Sequence, residues 1–499
     1  MSKWKNCVAI VNLVTKEEFT YGDLIHDVHC LAAGLQASGL IKQGQCVAMA
    51  LPNGVEFLVT LLAISQLGAV VSLVNPLYTP RELKHVSSIN NAHLWICTPE
   101  FVPVLSQLDN AEYSPKTIVV DSSNQERSQW HSILKSGESK TLQSISLNVF
   151  EDLATMPFSS GTTGLPKGVM LTHHNIVTAL CQFKVWCPYT HDDVNVGLLP
   201  MFHQYGCLMV LTTLAVGAKA IILPKFSFPD MLHAIQEYKV TMIPLVPPVA
   251  LLLAKHPATD KFDLSSVKAI ISSAAPLSLE IIKTIINKYK WEVLQGYGMT
   301  ECTLSTHFMP PGQQKYGSVG KIMPFYEGKI VDQSTGEDLG VNQVGEICVR
   351  GFMVMKGYCG NPGATAAMID SNNWLHTGDI GYYDEEDFFY VVDRLKELVK
   401  YKGMQIAPSE LEHVLLTHEE VADAAVIGIP DEFAGELPRA YVVKRPGSTV
   451  SELDLIHFVD KQVAPYKKLR GGVIFIDAIP KLLSGKILRR ELRALSSKL

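Results

Sequence analysis

Ser159-Ser160-Gly161-Thr162-Thr163-Gly164-Leu165-Pro166-Lys167-Gly168 is the stretch from which the rest of the chain can be read. An apolar run precedes it over 152–158 and another follows over 169–171, so it reads as a loop between two strands. Its glycines allow a tight turn whose backbone N–H groups point at one anion. Its hydroxyls and Lys167 add donors and a positive charge. That combination is what a polyphosphate needs. A plain surface turn would account for the glycines but not for the hydroxyls crowded beside Lys167. A Walker A loop is excluded, because Pro166 stands where that pattern has its second glycine and Gly168 where it has Ser or Thr.

Outward from the loop, two periodicities alternate. The spacing predicts a helix over 21–38, a strand over 45–51, a helix over 55–67 and a strand over 69–74. Further strands are expected over 218–223 and 267–272. Such alternation builds parallel sheets covered by helices, an α/β fold, and such sheets bind ligands where their strands end. After Tyr316 glycine and proline become dense, with short strands expected over 345–350 and 388–392. The charged run Asp393-Arg394-Leu395-Lys396-Glu397 is the best domain boundary. Beyond it lies an α+β pattern of about 100 residues, a usual size for a small domain. Strands are expected there over 424–429, 440–444 and 473–477. Ser409 to Glu412 has the S-x-x-E form of a capping box opening a helix.

Composition narrows the function. Apolar residues make up 47% and charged residues 18% of 499, a globular balance with mass for large cores. A formal net charge of −6 without a long basic run argues against nucleic acid. The apolar stretches 58–74 and 206–223 are broken by Gln66 and Gly68, and by Gly217 and Lys219, so neither reads as a membrane span. The ten cysteines include no C-x-x-C pair, which leaves zinc without support in the sequence and fits reduced, buried thiols inside a cell. The N-terminus lacks the apolar core of a secretory signal. The final Ser497-Lys498-Leu499 is a peroxisomal address read by an import receptor, so a peroxisomal location is expected.

Three more segments carry chemistry. In Gln295-Gly296-Tyr297-Gly298-Met299-Thr300-Glu301 the glycines let backbone approach a ligand, Tyr297 offers a ring face and Glu301 a hard oxygen for Mg²⁺. By itself this segment could equally be a structural turn. In Thr377-Gly378-Asp379 the carboxylate suits ribose hydroxyls, and Arg394 could donate to the same sugar. In Pro480-Lys481-Leu482-Leu483-Ser484-Gly485-Lys486 a Ser-Gly pair sets Lys486 at a loop tip between a strand and a helix.

Together these segments resemble the adenylate-forming superfamily of acyl-CoA synthetases, beetle luciferases and peptide-synthetase adenylation domains, and within it the 4-coumarate–CoA ligase and luciferase branch. The likeness runs from about Tyr21 to Leu499, a length that suits two to four domains. It implies a large, multi-subdomain N-terminal α/β domain over residues 1–392, a hinge over 393–396 centred on Lys396, and a small mobile α+β domain over 397–499, with the active site between them. It implies that Ser159, Ser160, Gly161, Thr162, Thr163, Gly164 and Lys167 hold the ATP phosphates. Tyr297 would lie against adenine, Gln295 and Gly296 would also bind the nucleotide, Thr300 would touch the α-phosphate, Glu301 would hold Mg²⁺, and Asp379 and Arg394 would bind ribose. Lys486 would contact the α-phosphate and the acid. Lys400, Lys402, Gly403 and Gln405 would swing in for the second step with coenzyme A. The acyl pocket would be lined by His203, Tyr205, Ser273, Ala274, Ala275, Gly296, Met299, Thr303 and Leu304. Ser273 stands where the family usually has glycine.

The activity so implied is ATP-dependent activation of a carboxylic acid, followed by transfer of the acyl group to coenzyme A with release of AMP and pyrophosphate. An aromatic propenoic acid and a medium- or long-chain fatty acid both fit. A luciferase-like mono-oxygenase and a catalytically silent nucleotide binder are the rival readings. The presence of Lys486, Glu301 and Asp379 argues against the second.

Overall fold

In the computed structural model the described residues are 2–108, 115–124, 128–159, 166–187, 189–394, 397–401, 404–431, 434–463, 465–481, 485 and 487–496. The molecule is mixed α/β, with a large N-terminal part and a smaller C-terminal part.

Three sheets account for the first 394 residues. A nine-stranded sheet has the spatial order Lys321–Ile322, Ser305–Phe308, Glu292–Gly298, Ala269–Ser272, Met242–Leu245, Val194–Gly197, Lys219–Ile222, Val8–Asn12, Glu18–Thr20. A seven-stranded sheet runs Gly357–Tyr358, Lys167–Thr172, Leu153–Ser159, Val70–Leu73, Cys46–Ala50, Leu94–Cys97, Lys116–Val119. The inner pairs of both are parallel. Their central strands, such as Val70–Leu73 and Ala269–Ser272, are buried at every position, as expected where helices cover both faces. The third sheet, Asp338–Leu339, Tyr326–Val331, Gly345–Gly351, Leu375–Tyr383, Phe389–Arg394, is antiparallel throughout.

Local signals set the helix ends. The helix Tyr21–Ser38 starts at Thr20, whose hydroxyl caps the Asp23 N–H while Asp23 returns to the Thr20 backbone. It stops at Gly39, which takes φ 67. Among the described residues no helix is long and apolar enough to cross a membrane.

In the C-terminal part Met404–Ile406, Val399–Tyr401, Gly435–Lys444 and Val421–Asp431 form a sheet, with Val473–Phe475 along the other side of Gly435–Lys444. A buried guanidinium braces it: Arg489 reaches Glu397 at 2.7 Å and Glu412 at 2.6 Å. The strand Phe389–Arg394 carries the first part through Asp393 and Arg394, so the expected hinge begins inside a strand.

One local expectation fails. Ser409 does not cap a helix. The helix is Pro408–Leu416, with Ala407 at the cap position and no side-chain cap bond. Proline's fixed φ suits the first helical position and starts the helix two residues early. Ser409 is thereby released for a tertiary task. Its hydroxyl donates to the Val392 carbonyl at 2.6 Å, and its N–H donates to Asp393 Oδ2 at 3.0 Å. The side chain read as a helix start ties the C-terminal part to the last strand before it.

Candidate active site

Parallel pairing brings distant segments to one edge. Ala269–Ser272 lies between Met242–Leu245 and Glu292–Gly298, and Val194–Gly197 follows next. All four run the same way, so the residues after them emerge together. Those are the 198–203 segment, the residues after Leu245, Ser273 to Ala275, and Met299 to Glu301.

At this edge the acyl-pocket candidates meet. Ser273 Oγ donates to the Gly296 carbonyl at 2.8 Å, and the Tyr205 phenol donates to the Ile271 carbonyl at 2.8 Å. Both hydroxyls are thus spent on the sheet. Ala274 is exposed and holds φ 73, a left-handed conformation disfavoured by its Cβ. Such strain persists only where surrounding structure imposes it, and it clusters at functional sites. Thr303 also has positive φ, 61, but it is fully buried and its hydroxyl donates to the Met353 carbonyl at 2.7 Å. It therefore offers a ligand no free hydroxyl and lies behind the edge that Ser273 and Ala274 reach. Leu304 is buried beside it, and Met299 and Ala275 are half-buried. His203 is exposed at the same edge, its ring 4.5 Å from that of Phe202. Desolvation lowers its imidazole to about 4. His203 is therefore neutral at neutral pH.

The phosphate-loop strands are antiparallel, with Ser159 opposite Lys167. The segment between them is thus held at both ends by the pairing of Ser159 with Lys167. Ser160, Gly161, Thr162, Thr163 and Gly164 lie outside the described residues. At the base of this segment the Ser159 hydroxyl is buried near the Tyr358 phenol, and by geometry its Oγ has no hydrogen-bond partner among the described residues; Lys167 Nζ lies 4.9 Å over the Tyr358 ring. An unpartnered buried hydroxyl beside a lysine fits an anion acceptor.

Glu301 follows Thr300 in a short 3-10 turn, Thr300–Cys302, and is buried, 4% exposed. Among the described residues no lysine or arginine pairs with it. Its partner is the Tyr358 phenol, which donates to Oε1 at 2.7 Å. A buried carboxylate without a cationic partner is costly unless a cation joins it, so the donor set fits a hard divalent ion.

Tyr297 and Asp379 meet directly, the phenol donating to Oδ2 at 2.6 Å. Asp379 is held from behind: Thr377 Oγ1 donates to the Ile347 carbonyl and accepts the Asp379 N–H, while Gly378 N–H donates to Glu346 Oε1 at 2.9 Å. Gly378 takes φ 69, which fits glycine at this turn. Register pairs Asp379 with Arg394, whose side chain lies outside the described residues. Gln295 is buried with no partner for Oε1 among the described residues, and a Cβ at Gly298 would run into the Leu304 carbonyl.

Lys396, Lys402, Gly403 and Lys486 lie outside the described residues, as does the Gln405 side chain. Lys400 is exposed on Val399–Tyr401, its register partner Gln405. Gly485, next to Lys486, reaches the N-terminal part. A Cβ there would come within 2.9 Å of Pro248 Cδ and Cγ, at the start of the helix Pro247–Lys255.

Sequence reading missed Tyr358 and Glu346. Tyr358 lies in a two-residue strand, Gly357–Tyr358, paired with Lys167–Thr172. The same segment sends Met355 N–H to the Glu301 carbonyl and Cys359 N–H to the Gly168 carbonyl, both at 2.8 Å. It laces the strand Lys167–Thr172 to Glu301. A lone Gly-Tyr pair carries no local signal for that.

Comparison with known proteins agrees with this geometry. The model of the AMP-binding enzyme family matches residues 1–359, and that of the AMP-binding enzyme C-terminal domain matches 410–486. A 4-coumarate–CoA ligase of Oryza sativa subsp. japonica is 42% identical over 97% of this chain and 91% of its own length. One of Nicotiana tabacum is 43% identical over 99% and 92%. Among solved structures, ATP-bound MatB from Rhodopseudomonas palustris superposes with TM-score 0.90 at 28% identity, covering 98% of this chain and 95% of that one. The o-succinylbenzoate CoA synthetase of Bacillus subtilis, in complex with its acyl-adenylate, superposes with TM-score 0.83 at 28% identity, covering 97% and 95%.

Proposed function

The chain belongs to the AMP-binding enzyme family and is an AMP-forming acid–CoA ligase, and we propose that its acid is an aromatic propenoate of the 4-coumarate type. The observation that carries this choice is the uncharged lining of the acyl edge. His203 is neutral there, Tyr205 and Ser273 spend their hydroxyls on backbone carbonyls, and Ala274, Ala275, Gly296, Met299 and Leu304 carry no charge. Such a lining accepts a monocarboxylate with an uncharged body and disfavours a second carboxylate. Identity above 40% to ligases named for 4-coumarate favours the aromatic acid over a fatty acid.

Two anions must meet, the acid's carboxylate and the α-phosphate of ATP. The chain's work is therefore positioning and charge neutralisation. The segment from Ser159 to Lys167 holds the phosphates through Ser160, Gly161, Thr162, Thr163, Gly164 and Lys167. Tyr297 lies against adenine and braces Asp379, which accepts from the ribose together with Arg394. Thr300 and Lys486 steady the α-phosphate. Mg²⁺ held by Glu301 would supply further neutralisation of phosphate charge when bound. A bond forms between carboxylate oxygen and α-phosphorus as pyrophosphate leaves. The C-terminal part then turns about Lys396 and presents Lys400, Lys402, Gly403 and Gln405. The coenzyme A sulfur bonds to the acyl carbon and AMP departs. In this reading the import receptor takes the enzyme to peroxisomes through Ser497-Lys498-Leu499.

The test is turnover with Mg²⁺-ATP and a panel of aromatic propenoic and fatty acids, with and without coenzyme A. AMP and acyl-CoA forming together, fastest with 4-coumarate, support the proposal. Preference for fatty acids overturns it. Adenylate and pyrophosphate without thioester would point to a luciferase-like second step, and no turnover with any acid to a silent binder.

A further inference from the structure

Glu346 and Cys348 lie on the strand Gly345–Gly351, and His376, on Leu375–Tyr383, is the register partner of Cys348. Their ligand atoms converge. His376 Nδ1 is 2.9 Å from Glu346 Oε2 and 3.4 Å from Cys348 Sγ, and the three atoms lie within 4.8 Å of one another. We propose that these three side chains form a binding site for a thiophilic divalent cation of the Zn²⁺ type, distinct from the ATP site but sharing Glu346 with the loop that carries Asp379.

Ligand type and spacing both support it. Carboxylate, thiolate and imidazole are the donors such a cation prefers. Tetrahedral zinc at ordinary bond lengths would set sulfur and nitrogen about 3.6 Å apart, and nitrogen and oxygen about 3.4 Å. The His376 contacts at 3.4 and 2.9 Å need only small outward movement. His376 Nε2 lies 3.8 Å from Asp370 Oδ2, a carboxylate placed to hold the ring with Nδ1 turned to the cation. The His376 side chain is 34% exposed, which gives a path in and a fourth position for water. Cys348 is buried, and without a cation burial pushes its thiol up to about 12. Binding releases that proton and joins cation to sulfur with no redox change. The nearest opposing charge is Lys329, opposite Cys348 in register, but Asp338 pairs its ammonium at 2.8 Å. No local pattern announces the site, because its ligands come from two strands.

The shared carboxylate couples two sites. Glu346 Oε2 faces the cation, and Oε1 accepts the Gly378 N–H. A cation drawing on Oε2 weakens that second bond and loosens the turn before Asp379. This coupling rests on the proposed role of Asp379 in ATP binding, whereas cation binding does not.

The test uses the full chain, stripped with chelator and titrated with Zn²⁺ by calorimetry and with Co²⁺ by absorption. One cation per chain is expected, with a thiolate-to-cobalt charge-transfer band and a rise in melting temperature. All three should vanish in Cys348→Ala and the band should weaken in His376→Gln. Cys7 and Cys181 are exposed thiols, so a band that survives in Cys348→Ala places the cation elsewhere and overturns the proposal. Absence of a thiolate band in the unaltered protein overturns it equally, without relying on a variant that folds. With one Zn²⁺ bound and the excess removed, ATP affinity should fall several-fold, and in Cys348→Ala it should not change. Cation binding without that fall keeps the site and removes its coupling to Asp379.

Discussion

The phenol of Tyr358 donates a 2.7 Å hydrogen bond to the Glu301 carboxylate, and its ring lies 4.9 Å from the Lys167 ammonium. One side chain thus sets the distance between the proposed metal ligand and the proposed phosphate lysine. Its two parts act separately, the hydroxyl on Glu301 and the ring on Lys167. Tyr358→Phe keeps the ring and drops the hydroxyl. It should raise the Mg²⁺ concentration needed for half-maximal rate by about tenfold, a usual effect of removing a metal ligand's partner. ATP binding measured by calorimetry in chelator should stay as before. Equal loss in both measurements would mean that Tyr358 acts on the fold and not on Glu301.

Tyr297→Phe removes the 2.6 Å bond to Asp379 and keeps the ring proposed to lie against adenine. Losing a hydrogen bond to a buried carboxylate costs about 1.5–3 kcal/mol. KM for ATP should therefore rise by about tenfold or more, with KM for the acid unchanged. Steady-state kinetics with each substrate varied in turn decides this.

Acid should destabilise the N-terminal part through His307. This imidazole is fully buried between the Tyr297 and Phe389 rings, and desolvation lowers it to about 3. Unfolded, it titrates near 6.5. A folded value below the unfolded one means that the unfolded chain binds more protons as pH falls. The neutral ring's contribution is complete above about pH 6.5 and drains away as pH drops toward 3. At pH 5 the loss is about 2 kcal/mol from this group. Urea unfolding at pH 7.5 and pH 5 should show it, and His307→Gln should flatten the difference.

Gly485 packs on Pro248 with no room for a side chain. It also holds φ 84, which glycine tolerates and alanine resists. Gly485→Ala should hold the Lys486 loop away from the N-terminal part. Adenylation should slow by about 10²-fold, the scale of one misplaced charge-stabilising contact, while thioester formation from a supplied acyl-adenylate continues. Lys486→Ala should give the same split. Parallel failure of both half-reactions in both variants would refute the assignment of this loop to the first step.

Much of this protein was legible along the chain because its signals are local. The periodicities over 21–38, 55–67 and 424–429 match Tyr21–Ser38, Val55–Gln66 and the interior of Val421–Asp431. Side-chain spacing along one segment fixes which face can be buried. The proposal of a phosphate loop rests on the same kind of signal, since its glycines, hydroxyls and lysine stand within ten consecutive residues. Tertiary structure decided the rest. Ser409 had the letters of a capping box, yet Pro408 starts the helix and Ser409 bonds Val392 and Asp393. Glu301 signalled a metal ligand, but its holder Tyr358 stands elsewhere in the chain. Glu346 reaches Gly378 only because two antiparallel strands lie side by side. A short motif can specify which groups are present. What each group touches depends on which strands become neighbours, and that is set by burial summed over the whole chain.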